Sequence, residues 1–356
     1  MKNTIIKRAK EGEFVLIAEI GVNYYDIAKK MNIPIIDAAK LMVREAKDAG
    51  IHAVKFQTYK AETLAAKKSP SYWDTSEETT TSQFELFKKF DSFSYNEYKE
   101  LAEYCNELGI EFLSTAFDIE SADYLNELMN VYKISSSDLN NLPFVEYQAK
   151  KGKPILLSVG ASNEEEIDKT IHTIRKYNNE PIVLLHCVLE YPTPYEHANL
   201  NKIVSLKNKY QDLLIGYSDH TKPDEDADII KTAYNLGAVV VEKHFTLDKT
   251  LPGNDHYHAM SPEDAKKIIK GIEFIEKIRG SYEIKCLETE LAARKNARRS
   301  LVTACDIKKG EKITKDKLTF KRPGTGISPT DIMSVIGKVA LSDISDDTIL
   351  KYDMIE

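Results

Sequence analysis

Cysteine is scarce and irregularly placed: Cys105, Cys187, Cys286 and Cys305 are spread over 356 residues without paired spacing. That excludes a disulfide framework and a thiolate cluster for zinc, and it fits a reducing compartment. No apolar run approaches the length needed to span a bilayer, and no apolar segment follows the basic residues at the start of the chain, so the cytoplasm is the expected location. Positive charge is in deficit. With 49 basic against 56 acidic residues the net charge is −7, which offers no general attraction to nucleic acid or an anionic membrane. Any phosphate must therefore be held by local groups. No Gly-x-Gly-x-x-Gly follows the first strand-like run, which weighs against a dinucleotide fold.

What the sequence does contain is a repeated phrase. A helical pattern ends on glycine, a short buried strand follows, and the strand exits on polar residues. This is seen at Gly50 before Ala53-Val-Lys-Phe-Gln-Thr58, at Gly109 before Ile110-Glu-Phe-Leu-Ser-Thr115 and at Gly237 before Ala238-Val-Val-Val-Glu242. Strand-like runs recur near 14–20, 53–58, 110–115, 131–136, 154–159, 182–187, 213–218 and 238–243. Eight such units with helical patterns between them predict a (β/α)8 barrel rather than an open sheet. A chain this long exceeds one core, so a second, smaller domain is expected. After about residue 280 the pattern changes, and Asp306-Ile-Lys-Lys-Gly-Glu-Lys-Ile-Thr-Lys-Asp-Lys-Leu318 is echoed by Asp343-Ile-Ser-Asp-Asp-Thr-Ile-Leu-Lys-Tyr-Asp-Met-Ile355. The expected division is a barrel over 1–280, a connecting stretch over 281–296 and a small pseudo-symmetric β domain over 297–356.

In a barrel, chemistry gathers where strands end. The polar residues there are Glu19, Asn23, Lys55, Gln57, Ser114, Thr115, Lys133, Ser135, Ser136, Ser137, Asp138, Ser158, His186, Ser218, His220, Lys243 and His244. Lysines and serines aimed into one mouth suit an anion bearing phosphate or carboxylate, although a single strand-end lysine is ordinarily a solvated charge. Two imidazoles, His220 and His244, delivered from successive strands are placed to share a metal ion, although a lone strand-end histidine is ordinarily a hydrogen-bonded structural residue. With imidazole and oxygen donors and no thiolate in register, the ion expected is Mn²⁺, with Mg²⁺, Co²⁺ and Zn²⁺ open, acting as a Lewis acid on a carbonyl. His186, within an apolar run, reads as a core or supporting histidine. Asp255 and His256 either face a substrate or cap the next helix. The irregular segment 59–93, at the exit of a strand, reads as a substrate loop or as a solvated surface loop.

These residues resemble a known family, the sialic acid or nonulosonic acid synthases. The resemblance rests on Glu19-Ile-Gly-Val-Asn23, Val54-Lys-Phe-Gln-Thr58, Phe112-Leu-Ser-Thr115, Tyr132-Lys-Ile134, Leu185-His-Cys187 with Tyr191-Pro-Thr-Pro194, Tyr217-Ser-Asp-His-Thr221, Glu242-Lys-His-Phe-Thr246 and Pro252-Gly-Asn-Asp-His256. The terminal module, with Arg298-Arg-Ser-Leu301 and Lys321-Arg-Pro-Gly324, is similar to the family's antifreeze-like (SAF) domain. The resemblance implies a transferase that condenses phosphoenolpyruvate with an N-acylated amino-hexose, giving a nine-carbon 2-keto acid and phosphate. It implies a metal on His220 and His244, and phosphoenolpyruvate held by Lys55, Thr115, Lys133, Ser136, Ser158 and Ser218. Glu19 would handle water and a sugar hydroxyl. Gln57, Tyr191 and Asp255 would contact the sugar, with Asp138 at the family's acidic sugar position and Arg322 reaching the N-acyl group from the partner subunit of a domain-swapped homodimer.

Two positions depart from the family's pattern. Ser136-Ser137-Asp138 stands where Ser-Gly-Glu is usual, shortening a carboxylate by one methylene, and Leu189 replaces a polar residue before the Tyr-Pro-Thr-Pro run. Two other readings remain: a metal-dependent pyruvate aldolase on the same barrel, which would consume pyruvate without releasing phosphate, and a non-catalytic carbohydrate-binding protein, indifferent to metal and to His220→Ala.

Overall fold

Each of the eight strand-like runs becomes a strand of one closed parallel barrel: β1 (Val15–Gly21), β2 (Ala53–Thr58), β3 (Glu111–Ala116), β4 (Tyr132–Ile134), β5 (Ile155–Ser158), β6 (Ile182–Cys187), β7 (Leu214–Asp219) and β8 (Val240–His244). Closure is made by β1 against β8, with Glu19 opposite His244. The computed structural model describes residues 4–73, 75–76, 78–253 and 255–356, so that Asp74, Glu77 and Asn254 of the stretches singled out above lie outside the described residues. Among the described residues no helix is long and apolar enough to cross a membrane.

The local signals act as physical chemistry requires. Gly50, Gly109 and Gly237 all take positive φ, the left-handed turn that ends a helix without a side-chain clash. The helix Glu164–Arg175 opens on a reciprocal pair: Glu166 N–H donates to Asn163 Oδ1 at 3.0 Å, and Asn163 N–H donates to Glu166 Oε2 at 2.9 Å.

Strand residues alternate between two environments, and the alternation positions the site. One set packs outward against the helices and includes Leu16, Ala18, Val54, Phe56, Phe112, Tyr132, Leu157 and Tyr217. The other set fills the barrel interior. Its lower layer is apolar, with Ile17, Ala53, Leu113, Val131, Leu156, Leu185 and Val240 packed on Ile5, Ile6 and Ala9 of the helix α1 (Thr4–Lys10). Glu111 secures that helix, accepting from the backbone N–H of Thr4 and Ile5 at 3.1 and 2.9 Å. Two residues further along six of the strands the interior row turns polar: Ile17 gives way to Glu19, Ala53 to Lys55, Leu113 to Thr115, Val131 to Lys133, Leu156 to Ser158, Val240 to Glu242. The apolar floor thus keeps water out from beneath a polar rim.

The chain divides into two compact units, 1–279 and 280–356, so the stretch 281–296 groups with the second. There the helix Leu291–Ala297 precedes β9 (Ser300–Thr303), which pairs antiparallel with β10 (Leu318–Lys321) over a core that includes Leu301, Ile307, Ile313, Val335, Ile344 and Leu350. The two copies of the repeat embrace. Ile307 and Ile344 exchange backbone hydrogen bonds of 2.8 Å. Asp306 accepts from the N–H of Asp346 at 2.9 Å, and Asp343 accepts from that of Lys309 at 2.8 Å, each three residues past the other copy's aspartate.

Candidate active site

The polar rim opens into a cavity of about 510 Å³ at the carboxyl ends of the strands. At its centre four ionisable side chains are buried together. Lys55 Nζ lies 2.5 Å from Glu19 Oε2, 2.9 Å from Thr115 Oγ1 and 3.9 Å from Glu242 Oε1. Lys133 Nζ lies 3.3 Å from the same Glu242 oxygen, which also accepts from Ser218 Oγ at 3.1 Å. The other Glu19 oxygen accepts from Gln57 Nε2 at 2.9 Å.

Their surroundings separate the two carboxylates. Burial raises the pKa of Glu19 more than the Lys55 ammonium lowers it, so this group binds a proton more readily than an ordinary glutamate. Burial also penalises Glu242, but the Lys133 and Lys55 ammonium groups outweigh it and hold its pKa below the usual value. Burial lowers Lys133. It would lower Lys55 too, yet Glu19 and Glu242 hold that lysine charged. Two carboxylates pushed in opposite directions within one cavity are the condition for dividing acid and base roles.

One wall is shaped to receive an anion. Gly160 N–H donates to Ser136 Oγ at 2.9 Å, and the same hydroxyl lies 3.1 Å from Cys187 Sγ, where either group can be the donor. A Cβ on Gly160 would meet Cys187 Sγ at 2.5 Å and Ser136 Oγ at 2.9 Å, so only glycine lets the backbone approach this closely. Ser158 Oγ is buried without a partner among the described residues. Thr115, Ser136, Ser158 and Ser218 thus surround the two ammonium groups with hydroxyls.

The opposite wall carries histidines. His220 Nδ1 donates to the Val188 carbonyl at 2.7 Å, which fixes the tautomer and leaves the Nε2 lone pair free. The His220 and His244 rings are 5.6 Å apart between centroids. Burial lowers the pKa of His220 to about 4 and that of His244 well below the imidazole range, so both are neutral and able to donate lone pairs. His244, Asp255 and His258 each bring one donor atom within 4.8 Å of the others. Neutral imidazoles with one carboxylate are a donor set that fits a divalent ion. Burial, then the nearby Glu19 charge, pushes Asp255 up to about 7.

Of the residues nominated from sequence, Glu19, Lys55, Gln57, Thr115, Lys133, Ser136, Asp138, Ser158, Tyr191, Ser218, His220 and His244 all line this cavity. Asp255 lines an adjoining recess with Gln57, Tyr191 and His244. Asp138 sits on a short 3-10 turn (Ser136–Asp138), accepting from Asn141 Nδ2 at 3.3 Å. The segment 59–93 contributes Leu64, Tyr72, Gln83 and Phe87 to the lining. Arg322 is exposed in the second unit, just after β10.

Three strand-end residues face the helices instead. Lys243 points out of the barrel to Asp219 Oδ2 at 2.5 Å and the Thr221 carbonyl at 2.6 Å. Ser114 bonds Thr58 at 2.6 Å. His186 stacks on Tyr217 and its Nε2 reaches the Ala198 carbonyl at 2.8 Å. Two residues escaped the sequence reading. Glu242 was legible, since it shares the inward parity of His244. His258 lies on an irregular turn where no periodicity points to it.

The model of the NeuB family matches residues 42–284, and that of the SAF domain matches residues 298–356. The chain is 37% identical to the N,N'-diacetyllegionaminic acid synthase of Legionella pneumophila, over 99% of this chain and 98% of that protein. It is 33% identical to the N-acetylneuraminate-9-phosphate synthase of Mus musculus, over 96% and 92%. Among solved structures it is similar to the N-acetylneuraminic acid (sialic acid) synthetase of Leptospira borgpetersenii in complex with citrate, with a TM-score of 0.68 and 32% identity over 79% of this chain and 90% of that one.

Proposed function

This chain belongs to the NeuB family and ends in a SAF domain, and from that we propose that it is a nonulosonic acid synthase, a transferase joining phosphoenolpyruvate to an N-acylated amino-hexose. The observation that carries the reading is the convergence of Lys55 and Lys133 on one buried oxygen of Glu242. A substrate with both a phosphate and a carboxylate needs more than one cation in a dry cavity, and Glu242 opposes the fall that burial imposes on both ammonium groups. Thr115, Ser136, Ser158 and Ser218 supply hydroxyl donors around it.

C3 of phosphoenolpyruvate forms the new bond to the aldehyde carbon of the open-chain sugar, whose oxygen takes up a proton. Water then adds to C2, and the C2–O bond to phosphate breaks to leave the 2-keto acid. Glu19, more basic than an ordinary glutamate, takes the proton from that water, with Gln57 fixing its orientation. A divalent ion on His220 and His244, Mn²⁺ in the first place with Mg²⁺ or Co²⁺ as substitutes, would supply Lewis-acid polarisation of the aldehyde oxygen. Asp255, with Gln57, Tyr191 and Asp138, hydrogen-bonds the sugar. Arg322 is assigned to the N-acyl group of a sugar bound by a second copy of the chain, which makes the working form a homodimer. Phosphoenolpyruvate is an intracellular metabolite, so the reaction belongs in the cytoplasm.

Leu64, Phe87, Phe117 and Leu189 add apolar side chains to the cavity lining. Apolar lining of this kind favours a deoxygenated, doubly acylated sugar over one presenting a hydroxymethyl group. The test is phosphate release from phosphoenolpyruvate across N-acetylmannosamine, 2,4-diacetamido-2,4,6-trideoxymannose and its altrose isomer. Phosphate together with a nine-carbon 2-keto acid is expected, with the trideoxymannose fastest. Consumption of pyruvate with no phosphate formed from phosphoenolpyruvate would establish the aldolase instead.

A further inference from the structure

Two histidines on one turn behave in opposite ways. His256 and His258 are both fully buried, at 1% and 0% exposure. His256 satisfies both ring nitrogens, with Nδ1 at 2.8 Å from Thr246 Oγ1 and Nε2 at 3.3 Å from Asp26 Oδ2. His258 satisfies neither among the described residues, and His244 Nδ1 beside it is likewise buried and unbonded. A buried imidazole leaving both nitrogens without a partner is costly, so the partner is to be sought outside the protein's own groups.

The surroundings of His258 say what that partner is. Its ring is 4.9 Å from that of His244, and its Nε2 is 3.9 Å from Asp255 Oδ1, while Asp255 Oδ2 is 3.7 Å from His244 Nδ1. Those separations are too long for hydrogen bonds and leave room between the donors. Tyr191 and Tyr257 pack on the ring at 5.8 and 5.0 Å, offering aromatic edges and faces. Three donors around one gap, closed off by aromatic rings, match the needs of a cation better than those of a second hydrogen-bonding side chain.

We propose that His258 is a third imidazole of the divalent-ion site, joining His244 and Asp255 at the exit of β8 so that the ion is held by more than the His220 and His244 pair. This rests on the metal reading above and adds a ligand to it. With His220, four protein ligands from three places in the fold would hold the ion without substrate, whereas two imidazoles alone would rely on water or substrate to complete it.

The experiment is a Mn²⁺ titration of the full chain, with the free hexaaqua ion followed by electron paramagnetic resonance, for wild type, His220→Ala, His258→Ala and His258→Gln. Folding of each is checked by circular dichroism, and the glutamine variant preserves bulk if the alanine does not fold. The expected result is one ion per wild-type chain and affinity weaker by about tenfold or more in both His258 variants. The visible spectrum of the Co²⁺-loaded protein should also change on His258→Gln, as one nitrogen donor is lost. Wild-type uptake with unchanged affinity and unchanged Co²⁺ spectrum in the His258 variants, while His220→Ala weakens binding, overturns the inference and leaves the metal reading standing. Failure of wild type to take up an ion overturns both.

Discussion

Lys133 Nζ lies 3.3 Å from Glu242 Oε1 inside the barrel, where burial lowers the lysine's pKa and this carboxylate is the main group opposing that fall. Removing the charge in Glu242→Gln therefore lowers Lys133 further. The lysine must be charged to bind an anion, so the basic limb of kcat/KM for phosphoenolpyruvate should move to lower pH, measured as a pH profile of phosphate release. Lys133→Met should cost about 10²–10³ in kcat/KM at neutral pH. An unshifted basic limb in Glu242→Gln would mean that the carboxylate does not govern the lysine.

Gly160→Ala places a Cβ at 2.5 Å from Cys187 Sγ and 2.9 Å from Ser136 Oγ, within the wall assigned to the anion. Overpacking of this kind costs about 1–3 kcal/mol. We expect a lower melting temperature together with a raised KM for phosphoenolpyruvate, since Ser136 is displaced. A stability loss with KM unchanged would remove Ser136 from the phosphate site.

Outside the barrel wall, Asp219 and Lys243 form a buried pair, 1% and 2% exposed. Breaking it by Asp219→Asn or Lys243→Met leaves one charge buried without its counter-ion, which should destabilise by about 3–5 kcal/mol in urea denaturation. The double variant should recover part of that loss. A double-variant loss equal to the sum of the two single losses would show that the two residues act separately.

His52 accepts from Leu16 N–H at 3.0 Å through Nδ1, and burial followed by the Arg8 charge lowers its pKa to about 4. Its unfolded value is about 6.5. The unfolded chain then binds a proton that the folded one refuses, so the stability this residue contributes is present above pH 6.5 and is lost as pH falls toward 4. His52→Asn keeps an acceptor but does not titrate. Urea midpoints at pH 7.5 and 4.5 should therefore differ less in the variant than in wild type.

The barrel was readable because each strand repeats one rule: helix, glycine, apolar run, polar exit. Its active rim was readable less completely, for a reason of parity. Polar residues cluster at strand ends regardless of direction, and sequence alone set Lys243 beside His244 in one list. Counting by twos from His244 selects Glu242 and rejects Lys243, as the hydrogen bonds of the latter to Asp219 and Thr221 bear out. His258 follows no period, and only its burial in three dimensions draws notice. In the second unit the repeat beginning at Asp306 and Asp343 was visible as text, but the way each aspartate caps the opposite copy belongs to tertiary structure.

The pairing of Glu19 with His244 across the seam where β1 meets β8 fixes how β8 can change over time. Because its side chains point alternately in and out, inserting or deleting a single residue there would exchange faces, turning Lys243 into the cavity and Glu242 and His244 against the helices. Divergence along this strand is thus confined to replacing one side chain by another at constant length, whereas the loops beyond it are free to grow and shrink.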